Sequence, residues 1–149
     1  LRRFGVMTIS VTHSGRDVLE EILLLRPDDV VLAAGFQRAT AELAAVLGHA
    51  RSIGCKTVLI TDTLGLAFRN KADVILAARR GPVSTFHSLT VPMAVLNALL
   101  LGLASARPRR SLAGVRQLEA LRAAYGLDIL ADHRRDARRM RPRLLDRRQ

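Results

Sequence analysis

Residues 29–62 read DVVLAAGFQRATAELAAVLGHARSIGCKTVLITD, and this stretch decides the fold. It opens with an apolar run rich in β-branched residues, Val30 to Ala34, and closes with a second, Thr57 to Ile60. Neither run alternates polar with apolar side chains, the pattern of parallel strands covered on both faces. Between them Leu43, Val46, Leu47, Ala50 and Ile53 recur at steps of three and four, which gives a helix one apolar face. Gly54 stops that helix. The whole is a β-α-β unit, and it predicts a parallel sheet as the core.

Parallel sheets bind ligands outside the carboxyl ends of their strands, where loops lead into helix N-termini. Here those loops are Gly35-Phe36-Gln37-Arg38-Ala39-Thr40 and the turn beginning Thr61-Asp62-Thr63. Function is expected there.

The 149 residues suit one domain with a sizeable core. The formal net charge of +11 is unevenly spread. Residues 1–106 hold 11 basic and 8 acidic side chains, and residues 107–149 hold 13 and 5. The high pI is therefore mostly a property of the C-terminal part. Only Lys56 and Lys71 are lysines, beside 22 arginines, with alanine and leucine abundant. GC-rich coding produces that composition as readily as selection for phosphate contacts does. Nucleic-acid binding by the tail would be nonspecific and salt-sensitive. Cys55 is the sole cysteine, which excludes an intramolecular disulfide and a multi-cysteine zinc site. No run reaches the roughly 20 apolar residues of a membrane span, and no cofactor motif is present. A cytoplasmic protein without membrane contact is expected.

Before residue 29, Leu1 to Gly5 reads as the last turn of a helix with its glycine stop, and Val6 to Val11 as a strand. Thr12-His13-Ser14-Gly15 forms a loop, with Ser14 and Asp17 spaced as a capping box for a helix through Leu25. After Asp62 a helical segment is expected near Leu66 to Asn70, then a strand Val74 to Ala77. The polar loop Gly81 to Ser88 follows, and then a long buried helix to Ala106. Ser111 is positioned to cap a last amphipathic helix carrying Leu112, Val115, Leu118, Leu121 and Tyr125. From Ala131 the composition falls to arginine with scattered aspartate, predicting a disordered tail over 131–149.

The pattern D-V-V-L-A-A followed by Thr40 and Glu42, the helix end I-G-C-K, I-T-D-T after the next strand, and A-D-V-I-L resemble the sugar isomerase (SIS) domain. The version found as the effector domain of RpiR-type bacterial transcription regulators is the most similar. The resemblance covers Leu1 to Tyr125, within a domain of residues 1–130. It implies an α/β fold, a flavodoxin-like doubly wound parallel sheet flanked by helices. It also implies that the family's first strand and its glycine-serine loop precede Leu1. Their absence would leave a gap between the strands at Val6 and Val30, to be filled by a longer natural protein, by rearrangement or by pairing.

The family loop S-x-S-G-x-T, which holds a sugar phosphate, aligns with Gly35, Phe36, Gln37, Arg38, Ala39 and Thr40. Only the threonine is retained. Thr40 can cap the helix, whose first-turn amides and dipole favour an anion. Gln37 keeps hydrogen-bonding capacity, and Arg38 can grip phosphate bidentately. Thr63 keeps a hydroxyl where the family has serine. The remaining candidate ligand contacts are His13, Ser14, Asp62, Ser84 and His87.

Aldose-ketose isomerisation needs a base in the pocket. No Asp or Glu occurs between Asp73 and Glu119, which weighs against an isomerase and leaves His87 and His13 as acid-base candidates. The leading expectation is a noncatalytic effector domain that binds a phosphorylated sugar, forms a homodimer or higher homo-oligomer, and reaches DNA only through an upstream helix-turn-helix domain. The alternatives are a phosphosugar isomerase, or a degenerate SIS domain that serves only dimerisation.

Overall fold

The computed structural model describes residues 1–81 and 87–127. The predicted tail over 131–149 lies outside them. A 3-10 turn, Arg2–Phe4, precedes α1 (Asp17–Ile22), β1 (Val30–Gly35), α2 (Ala41–Ser52), β2 (Lys56–Thr61), β3 (Val74–Ala77), α3 (Thr90–Ala106) and α4 (Pro108–Ala124). The described residues form two compact units, Ile9–Leu103 and a second that joins Leu1–Thr8 to residues 104–127.

In the larger unit the sheet is parallel in the order β1-β2-β3. Val30 stands opposite Lys56 and Gly35 opposite Thr61, while Val58 to Thr61 pair with Val74 to Ala77. All three strands therefore end at one level, at Gly35, Thr61 and Ala77. The apolar stripe of α2 covers β1 and β2. Leu47 and Leu59 are fully buried with Leu64 and Phe68, and Ala33, Leu43, Ala44 and Ala72 pack around them. Thr40 caps α2 by accepting the N–H of Leu43 on Oγ1, and Gly54 ends it at φ 81. Cys55 is the small buried thiol its position implies, donating to the carbonyl of Asp29.

In the smaller unit the 3-10 turn lies on α4. Gly5 closes the turn in the left-handed region, and Arg110 Nη2 donates to its carbonyl over 2.9 Å. Gly114 permits the approach, because a Cβ there would stand 2.7 Å from the carbonyl oxygen of Arg3.

Five expectations are corrected. Residues 6–11 form no strand; Met7 and Ile9 are exposed, and among the described residues β1 pairs with β2 alone. Strand propensity without a neighbouring ladder leaves an extended segment only. Ser14 does not cap α1, which starts from Arg16 and stops at Ile22. Gly15, at φ 69, turns the chain between Ser14 and the helix. Leu64 to Ala72 makes successive helical turns rather than a regular helix. Helix α3 is not buried: Pro92 is its one buried residue, and Leu101 is 68% exposed. Finally, Ser111 lies within α4, which starts from Arg107 with Pro108 in the first turn. Proline suits that position because its missing N–H would have no helical partner.

No single helix among the described residues is long and apolar enough to cross a membrane.

Candidate functional site

The level at which the strands end brings the β1 loop, the β2 turn and the chain after β3 together. Gly35 closes β1 against the first turn of α2, where a Cβ would strike the side chain of Leu43. A larger residue there requires the Leu43 side chain to shift. The chain then turns through Gln37, which adopts φ 63, the sole non-glycine residue at positive φ among those described. An L-residue pays roughly 1–2 kcal/mol for this conformation. Arg38 donates its N–H to the carbonyl of Phe36 within the same tight turn.

Asp62 holds this turn in place. Its Oδ1 accepts the N–H of Gln37 over 2.9 Å, the N–H of Thr63 over 2.7 Å and the Thr63 hydroxyl over 3.3 Å. Its Oδ2 accepts Nε and Nη2 of Arg80 over 3.1 and 3.0 Å. The two side chains are only 9% and 10% exposed. The Arg80 guanidinium lies 4.5 Å from the centre of the Phe36 ring, so the same group clamps a carboxylate and an aromatic face. Burial alone would raise the Asp62 carboxyl, but the N–H groups of Gln37 and Thr63 and the Arg80 guanidinium outweigh it. The result is a pKa of about 2.

The side chain of His87 meets that of Gln37. On the other side Glu42 Oε1 accepts the N–H of Gly15 over 3.1 Å, tying the loop of His13 and Ser14 to the first turn of α2. Hydrogen bonds from its own N–H, from Gly15 and from Thr40 lower the Glu42 carboxyl. Behind the site the Thr61 hydroxyl is buried with no hydrogen-bond partner among the described residues.

The expected residues thus fall into three groups. Gly35, Gln37, Arg38, Thr40, Asp62, Thr63 and His87 converge at the strand ends. His13 and Ser14 come near through Glu42, but His13 points its Nδ1 at Glu21, 3.6 Å away, rather than into the β1 loop. Ser84 lies outside the described residues. Ser88 takes a local role instead, its hydroxyl accepting the N–H of Thr90 at the start of α3. Sequence reasoning missed Arg80, and it placed Phe36 in the loop without giving that ring a role. The available signal was an arginine pair directly after β3, at a level where the sheet had already placed Asp62.

Two cavities lie away from this end. One, of about 210 Å³, is lined by Leu19, Ile22, Leu23, Ala45 and His49 between α1 and α2. The other, of about 420 Å³, sits at the opposite end of the strands, between the end of α2 and the residues before β3. No group of three or more metal-ligating side chains occurs among the described residues.

Comparison with known proteins agrees with this architecture. A family model described as SIS domain matches residues 1–102. No curated protein sequence matches the chain. Among solved structures, the sugar isomerase domain of an RpiR transcription factor from Sphaerobacter thermophilus superposes with a TM-score of 0.71 at 28% identity, over 79% of this chain. The match spans 66% of that structure's chain. With a parallel sheet whose strand ends gather a threonine-capped helix and an aspartate-braced loop, this chain belongs to the SIS domain family.

Proposed function

We propose that this SIS domain is the effector domain of a transcription regulator of the RpiR type and binds a phosphorylated sugar without transforming it. One observation carries the noncatalytic part. The acid at the centre of the site, Asp62, is engaged by Gln37, Thr63 and Arg80 and held at about 2. A base so weak, with both oxygens engaged, does not remove a proton from a sugar carbon. Glu42 is likewise committed to the Gly15 amide. The Arg38 guanidinium has no hydrogen-bond partner among the described residues and can take an anion, while the Thr40 hydroxyl and the Gln37 side chain exchange their contacts with Leu43, Glu42 and His87 for a ligand.

The mechanism follows from linkage. A sugar phosphate that prefers one arrangement of a homodimer shifts its population, and a helix-turn-helix domain in the same regulator reads the shift in the cytoplasm.

The test is a thermal-shift panel of aldose and ketose phosphates beside the free sugars, combined with an assay for interconversion. Stabilisation by about 2.7 kcal/mol at 100 times the dissociation constant, without turnover, is expected. Turnover lost in His87→Ala would establish an isomerase instead. If no sugar phosphate stabilises the fold, the domain serves assembly alone, the reading favoured by the lost serines of the β1 loop.

A further inference from the structure

We infer that the cavity at the amino-terminal end of the sheet binds a compact oligophosphate, a chain of two or three phosphoryl groups either free or carried by a nucleotide. Among the described residues Arg51, Lys56, Arg69 and Lys71 line it together with Asn70 and a single carboxylate, Asp73. Asp73 is already satisfied. Its Oδ2 accepts the N–H and hydroxyl of Thr57, both over 2.8 Å, and its Oδ1 takes one donor of Lys56 over 3.2 Å. It therefore anchors the rim and leaves most of the positive charge uncancelled.

Among the described residues no carboxylate pairs with Arg51, Arg69 or Lys71. Lys71 leans on the Phe68 ring at 5.7 Å, which leaves its three N–H donors open. Lys56 is 73% exposed and keeps two donors beyond the one given to Asp73. Arginine forks and lysine point charges around one depression form a receptor for several phosphoryl oxygens at once. The volume of about 420 Å³ falls within the range of small-molecule sites. No aromatic ring among the described residues lines the cavity, so it grips charge and not a base. Cations ringing a hollow suit a compact anion better than the convex backbone of a duplex. The site shares no residue with the strand ends that hold Asp62.

Calorimetry on the full chain at 150 mM salt tests this with sodium tripolyphosphate, orthophosphate and a 20-base-pair DNA duplex. One tripolyphosphate per chain is expected, bound at least tenfold more tightly than orthophosphate. The variant R51A/R69A/K71A should weaken it tenfold or more. A control that removes the same charge from α4, R109A/R116A/R122A, should change it less than twofold. The milder R69A/K71A keeps the last turn of α2 intact and should reproduce most of the loss. Equal weakening by the pocket and control variants would overturn the inference, since binding would then follow net charge. So would the absence of tripolyphosphate binding, or a duplex that needs these residues where tripolyphosphate does not.

Discussion

The two ends of the sheet each carry an aspartate-cation pair, and the pairs do different things. At the carboxyl end Asp62 and Arg80 are about nine-tenths buried and touch main-chain donors, so they set a backbone conformation. At the amino end Lys56 and Asp73 are 73% and 40% exposed, and water screens them. The ion pair is structural in one place and incidental in the other, where Asp73 holds the N–H and hydroxyl of Thr57 whether or not Lys56 is paired with it. Burial decides which, because it removes the solvent that would otherwise replace either partner.

The largest expected effect follows from breaking the buried pair. Arg80→Ala leaves Asp62 uncompensated and should cost about 3 kcal/mol in urea denaturation, a loss that Arg80→Lys recovers only in part. The pH dependence has a definite sign. The folded Asp62 pKa of about 2 lies below the ordinary 3.8, so its stabilisation is complete above about pH 4 and disappears as pH falls toward 2. Urea titrations across that window should flatten in part in Asp62→Asn, the remaining slope belonging to Asp73, which the Thr57 hydroxyl and N–H and Lys56 also hold at about 2. If they do not, the acid sensitivity belongs to other carboxylates.

At the exposed end the neutral partner should matter more than the charged one. Thr57, 2% exposed, exchanges hydrogen bonds with Asp73 through its hydroxyl. Thr57→Val should cost about 1–2 kcal/mol. Thr40→Ala, which removes the cap of α2, should cost about 1 kcal/mol and weaken any anion held at the first turn. Lys56→Ala should lie within about 0.5 kcal/mol of the parent. A larger value there would erase the distinction between the ends.

A similar contrast separates α2 from α3. Both are apolar, yet the stripe of α2 finds a sheet to cover, and most of α3 stays half-buried or exposed. Periodicity announces a helix with a face to bury; it does not say where the covering surface is. The same reasoning explains Val6 to Val11, whose composition fits a strand but which has no ladder beside it. It explains Ser111 too, a good capping residue overtaken by Pro108 three positions earlier.

Local pattern was enough for the β-α-β unit, its parallel sense, the cap at Thr40, the stop at Gly54 and the family. These rest on local spacing and backbone preference, which neighbours in the chain supply. It also located the candidate site, because parallel strands end at one level and their loops must meet there. It takes the folded chain to make Asp62 a brace rather than a free acid, to complete it with Arg80 and Phe36, and to hold Gln37 at positive φ. Those facts depend on partners 18 to 44 residues apart being desolvated together, and no local pattern records which distant donor a carboxylate meets.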